Sequence, residues 1–123
     1  MTTLTTSKMD GDKRVLKGNY PTHFFVTAVQ TKKDVFTDRG DSCDSRCWGY
    51  TDTFEKAEEA VLKNYMDMHE CSYQWIIIEE YVMDVLALAT GRFQWYHWDK
   101  MSSEYERCRQ PAWAKQICNW GIG

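Results

Sequence analysis

The chain has no surplus of positive charge. It carries 15 Lys and Arg against 18 Asp and Glu, a net charge of −3. A protein that coats long nucleic acid shows a basic surface, so long DNA or RNA is excluded as the expected partner. It also has no run of about 18 apolar residues, so no membrane-spanning helix is expected. The opening Met1-Thr2-Thr3-Leu4-Thr5-Thr6 contains no apolar core of a secretory signal and does not start Met-Gly, as myristoylation requires. The five cysteines (43, 47, 71, 108 and 118) are an odd number without a secretion signal. They read as reduced thiols of an intracellular protein. No Walker loop, no Gly-x-Gly-x-x-Gly and no His-Glu-x-x-His occurs, and Gly121-Ile122-Gly123 is too short for a phosphate loop.

What the chain does have is aromatic rings: 6 Trp, 7 Tyr and 5 Phe among 123 residues. Any one ring is adequately explained as core. So rich a set is harder to hide in one small core, and part of it is expected to face a ligand or a partner subunit. The length fits one domain. Residues 1–19 are polar, rich in Thr and Lys and without a period, and read as a flexible tail. Residues 20–123 then form a single domain, with order expected from about Pro21.

His23–Gln30 is rich in β-branched and aromatic residues and predicts a strand. Lys32–Ser45 reads as a hairpin loop, and Arg46–Thr51 as the second strand, with Gly49 marking a bulge or a close backbone approach. Asp52-Thr53-Phe54-Glu55 is a helix start. Either Asp52 or Thr53 is the cap, and Asp52 would place Glu55 at the capping-box position. Phe54, Ala57, Val61, Tyr65 and Met68 then form an apolar stripe, which predicts a helix to about His69. That stripe is expected to bury against the sheet or a second subunit. Glu55, Glu58, Glu59 and Lys63 fall on the solvent side, with Glu59–Lys63 a favourable i,i+4 pair. Tyr73–Glu80 predicts a central strand buried on both faces. Residues 82–89 fit either a short second helix or a crossing of the sheet edge, closed by Thr90-Gly91. Arg92–Asp99 and Glu104–Arg109 predict the last two strands, Pro111 ends the fifth, and one helical turn follows. The expected order is β-β-α-β-β-β, an antiparallel sheet with one main helix and room for a short second one: an α+β fold.

The richest constellation is the last hairpin. A two-residue period puts Arg92, Gln94, Tyr96 and Trp98 on one face of the fourth strand. Tyr105, Arg107 and Arg109 share a face of the fifth. One reading is a solvated strand face with cross-strand cation–π pairs. The other is a ligand site in which Tyr96 and Trp98 stack on a base and Arg107 and Arg109 hold phosphate, with Arg92 and Arg46 as further candidates. Stacking contributes about 1–3 kcal/mol per base, and the arginine fork suits phosphate oxygens. Cys43-x3-Cys47 with His69-x-Cys71 supplies four zinc-ligand types, but His-x-Cys is not a standard knuckle, so no metal and no cofactor is expected. His97 beside Asp99 could be an oriented base, but no nucleophile accompanies it. Glu79 and Glu80 point to opposite faces of one strand and so are not a paired-carboxylate site.

Several of these segments, in order, resemble a known family. They are Trp48-Gly49-Tyr50, then Asp52-Thr53-Phe54-Glu55-Lys56-Ala57-Glu58-Glu59-Ala60-Val61, then Asn64, then Trp75-Ile76-Ile77-Ile78-Glu79-Glu80. Trp95-Tyr96-His97-Trp98-Asp99 follows, and Asn119-Trp120-Gly121-Ile122-Gly123 closes the set. Together they are similar to the first family of Thoeris anti-defence proteins, phage-encoded signal sponges, over about residue 23 to the end. The resemblance implies a non-enzymatic protein that sequesters cyclic ADP-ribose isomers, and in some members cyclic oligonucleotides, in the cytoplasm of an infected bacterial host. It also implies a homodimer or higher homo-oligomer built around the helix. It supplies no residue pattern for the pocket, so the candidate site remains the aromatic–arginine hairpin. Two rivals make different use of the residues: a protein-binding inhibitor of a host factor would use the aromatic surface, and a cyclic nucleotide hydrolase would use His97 with Asp99.

Overall fold

The computed structural model describes residues 21–31, 43–84, 87–115, 117 and 119–121. The expected tail (1–19) and most of the expected hairpin loop (32–42) lie outside the described residues. Five strands form one antiparallel sheet: β1 Thr22–Thr31, β2 Cys43–Thr51, β3 Trp75–Val82, β4 Leu88–Asp99 and β5 Glu104–Cys108. Their spatial order is β2-β1-β3-β4-β5. The single α-helix among the described residues, α1, is Phe54–Leu62, and short 3₁₀ turns follow at His69–Cys71 and Ala112–Ala114. The architecture is α+β, with the apolar Trp75–Ile78 run in the centre as its composition predicts.

The two faces of the sheet are covered differently. α1 packs Phe54, Ala57 and Val61 on one face, against Phe24, Val26, Ile76, Ile78, Tyr96 and Tyr105. On the other face Val29, Ile77 and Trp95 meet Ala114 and Trp120 from the segment after β5. Both layers exclude water from β3, which is why this strand tolerates three consecutive isoleucines.

One expectation is corrected and two open alternatives are decided. The helix does not reach His69 but stops at Leu62, with Lys63 as its C-cap. Asn64 takes φ 51°, Asn64 N–H donates to Val61 O, and Tyr65 N–H donates to Ala60 O. These bonds satisfy helix-end carbonyls through a left-handed residue, a position asparagine tolerates. Met68 is still fully buried, but it reaches the core from a turn, while Tyr65 stays 60% exposed. Second, the cap is Thr53. Lys56 N–H donates to Thr53 Oγ1 at 3.2 Å, so Glu55 is not in the capping-box position. Asp52 instead pairs with Lys56 Nζ at 3.0 Å. Third, residues 82–89 hold no second helix among those described: β3 runs through Val82 and β4 begins at Leu88. Thr90-Gly91 is therefore inside a strand rather than before it. The β3–β4 register shifts between Glu79 and Tyr81, and opposite this irregularity Gly91 adopts φ 95°, which costs least for glycine. The bulge expected at Gly49 is present: Val26 pairs with Gly49 and Thr27 with Cys47, leaving Trp48 as the extra residue.

Candidate functional site

Strand pairing assembles the hairpin as its period predicts. Tyr96 lies opposite Arg107 and Trp98 opposite Tyr105. The face they share, however, is the one covered by α1. Tyr96 is fully buried, and its hydroxyl donates to Glu58 Oε2 at 2.8 Å. Burial, then the neighbouring Glu58 carboxylate, pushes the Tyr96 hydroxyl far above its usual range, so it remains a neutral donor. Arg107 closes a fork on the same carboxylate, donating from Nε at 2.5 Å and from Nη2 at 2.9 Å. The Arg107 guanidinium also lies 5.6 Å from the centre of the Phe54 ring. One helix carboxylate thus ties α1 to β4 and β5 together. The pattern had put Glu58 on the solvent side; it is half-buried because β5 extends the sheet beneath that flank of the helix.

Trp98 is also engaged. The His69 ring stacks on it, 3.6 Å between centroids and 10° between planes, and Tyr105 meets it edge-on at 5.0 Å. The Tyr105 hydroxyl donates to Tyr73 O at 2.5 Å. Arg92 is largely buried and pairs with Glu80 at 3.1 Å. The same carboxylate accepts from the hydroxyls of Thr22 and Thr90, each at 2.9 Å. Burial lowers the Arg92 pKa, and Glu80 partly offsets that.

Two candidate arginines are placed differently. Arg109 is exposed, and among the described residues it has no hydrogen-bond or ion-pair partner. Continuing the Trp95–Cys108 register by one residue brings it level with Gln94, two positions from Arg92. Arg46 is exposed, lying 4.6 Å over the Trp48 ring at the opposite edge of the sheet. The structure therefore groups Arg92, Arg107 and Arg109 along β4–β5 and separates Arg46 from them.

On the other face, Trp75, Trp95, Trp113 and Trp120 interlock edge-to-face with centroid separations of 5.5–6.4 Å. His97 is exposed and lies tilted over Trp75 at 4.2 Å; partial desolvation of its ring lowers its pKa, although Asp99 acts in the opposite sense. Asp99 itself accepts from Ser102 Oγ at 3.0 Å and from Met101 N–H at 3.3 Å. Its carboxylate anchors the β4–β5 turn. Glu79 points to the face of β3 opposite Glu80, as the strand period predicts. It is buried and accepts three bonds on one oxygen: Trp120 N–H at 2.9 Å, Gly121 N–H at 2.8 Å and the Tyr81 hydroxyl at 3.2 Å. Burial raises its pKa, and the two backbone donors oppose that rise.

Among the described residues no three metal-ligating side chains come together. The Cys43 side chain and Cys118 lie outside them. Cys47 and Cys71 are exposed free thiols, and burial pushes the Cys108 thiol up to about 11, which keeps it protonated and poorly nucleophilic. No helix among the described residues is long and apolar enough to cross a membrane. Compared with protein families, curated proteins and solved structures, the chain matches none.

Proposed function

We propose that this protein binds and sequesters a small anionic nucleotide of the cyclic ADP-ribose class without cleaving it. It would act in the cytoplasm of an infected bacterial host, as a homodimer or larger homo-oligomer, and keep the signal from its effector. The observation that carries the reading is Arg109, an exposed guanidinium with no partner among the described residues. It follows directly on β5, and the arginines of β4 and β5, Arg92 and Arg107, are already neutralised by Glu80 and Glu58. A phosphate oxygen would give it the charge-assisted contact it lacks. The resemblance of the ordered segments supplies the ligand class. The assignment departs from the initial expectation at several residues: Tyr96 is buried with its hydroxyl committed to Glu58, Arg107 and Arg92 are paired with Glu58 and Glu80, Trp98 is stacked on His69, and Arg46 lies at the opposite edge of the sheet.

The test mixes purified protein with a limiting amount of cyclic ADP-ribose isomers, removes free ligand, heat-denatures the protein and analyses the supernatant by mass spectrometry. Intact ligand released on heating is the expected result. Ligand altered in mass would replace sequestration with hydrolysis and direct attention to His97. Ligand that never associates would remove the nucleotide reading in favour of a protein partner.

A further inference from the structure

After β5 comes a segment whose described residues 111–115, 117 and 119–121 hold no strand, and several of them pack on the tryptophan face of the sheet. Pro111 and the 3₁₀ turn Ala112–Ala114 begin it, and its early backbone bonds are local: Ala114 N–H to Pro111 O and Ile117 N–H to Ala114 O. Its apolar contacts come from Trp113, Ala114, Ile117 and Trp120. The N–H groups of Trp120 and Gly121 converge on Glu79 Oε1. Gly121 sits so close that a Cβ there would lie 3.0 Å from Phe25 Cβ and 3.2 Å from Thr27 Oγ1. The docked position is tight and specific, but it carries two polar penalties. The Glu79 carboxyl is withdrawn from water, and the Trp113 indole Nε1 is buried without a hydrogen-bond acceptor among the described residues. Each such group costs free energy only while the segment is down.

We propose that this segment is a pH-sensitive strap, latched by the Glu79 carboxyl and able to lift from the tryptophan face while the five-stranded sheet stays folded. With the strap down, Glu79 is surrounded by Tyr81 on its own strand, Phe25 and Thr27 on β1, Phe93 on β4 and the two strap N–H groups. The titratable groups that face it are Tyr81 and Cys47, with His23 further along β1 opposite Tyr81. No lysine or arginine among the described residues pairs with it. Oε1 can accept the three bonds whether or not Oε2 carries a proton, so protonation removes the charge and keeps the latch. With the strap up, Glu79 is solvated and titrates as an ordinary glutamate. With the strap down, burial without a neighbouring cation disfavours the charged form and outweighs the three donors, so closing takes up a proton and raising the pH through the closed-state pKa favours opening.

The test is amide hydrogen exchange on the full chain between pH 5 and 8, corrected for intrinsic exchange rates, in wild type and Glu79→Gln. Glutamine keeps a carbonyl acceptor and has no charge. In the wild type, protection at Trp120 and Gly121 should fall by about tenfold for each unit by which closure raises the carboxyl pKa. Ile77 and Trp95 amides should keep their protection, and the glutamine variant should show no such fall. Two outcomes overturn the proposal: equal pH dependence in both proteins, or strap and sheet amides losing protection together. The wild-type Glu79 carboxyl carbon, titrated by NMR, decides the case independently of the variant. A midpoint at the ordinary glutamate value would also overturn it.

Discussion

At the scale of the residue, Glu58 and Arg109 show how position decides the role of a charge. Both lie beside the same hairpin, but Glu58 accepts from Tyr96 and Arg107, while Arg109 is exposed and unpaired among the described residues. Replacing Glu58 with alanine removes the acceptor of the buried Tyr96 hydroxyl, a loss of about 1–3 kcal/mol. The half-exposed Arg107 adds less, because solvent screens it. Urea denaturation should show that destabilisation, and it should shrink in a Tyr96→Phe background, where no hydroxyl is left unpaired. Arg109→Ala should leave the thermal midpoint nearly unchanged and weaken binding of a cyclic ADP-ribose isomer at least about tenfold, the equivalent of about 1.4 kcal/mol, read by calorimetry. Unchanged affinity would remove Arg109 from the site. Helical spacing alone placed Glu58 in solvent. Only the lateral position of β5 beneath the helix shows otherwise, and a long-range contact of that kind leaves no mark in local sequence.

Among the elements, the strands were legible and the helix end was not. Runs such as His23–Gln30 and Trp75–Ile78 combine β-branched and aromatic residues that favour a pleated surface, and both are strands. Tyr65 and Met68 continue the helical spacing, yet the helix has already ended at a left-handed Asn64. Met68 is apolar because it returns to the core from a turn, so the periodicity was real in sequence and coincidental in structure. The period of two likewise gave the residues sharing a face of β4 correctly. It could not say which face α1 would cover, and so Tyr96, expected at a ligand surface, is core. At the start of α1, Thr53→Ala should lower stability by about 1 kcal/mol through loss of the bond to Lys56 N–H. Asp52→Ala should cost less, because its ion pair is exposed on both sides. Paired thermal melts of the two variants would rank them, and the reverse order would show that Asp52 carries the cap.

For the whole molecule, stability should respond to pH in two opposed ways. Asp52, Glu59, Glu70 and Asp99 have lowered pKa values, each led by a side-chain hydrogen bond. What they contribute is present above the unfolded carboxyl values and fades as pH falls through the lowered ones. Asp52, Glu59 and Glu70 are exposed and Asp99 is at the surface of a turn, so solvent screening keeps the effect small. Glu79 has the opposite sign. Its folded pKa lies above the reference 4.5, so its contribution is complete below that value and is lost as pH rises through the folded pKa. Thermal midpoints of wild type and Glu79→Gln should therefore diverge as pH climbs from about 4.5, to the disadvantage of the wild type. A difference that stays constant with pH would mean that Glu79 titrates normally.

The central strand has one more consequence. Ile76, Ile77 and Ile78 are interchangeable in size and greasiness, and both faces around them are apolar. By themselves they would let β3 slide one place along its neighbours. The adjoining Glu79 and Glu80 are not interchangeable: one needs the N–H groups of Trp120 and Gly121, the other needs Thr22, Thr90 and Arg92. A slide of one residue would turn each acid toward the wrong cover and leave both carboxylates buried without donors. The two glutamates act as an alignment key, so that a strand with three identical teeth still fits its sheet in a single way.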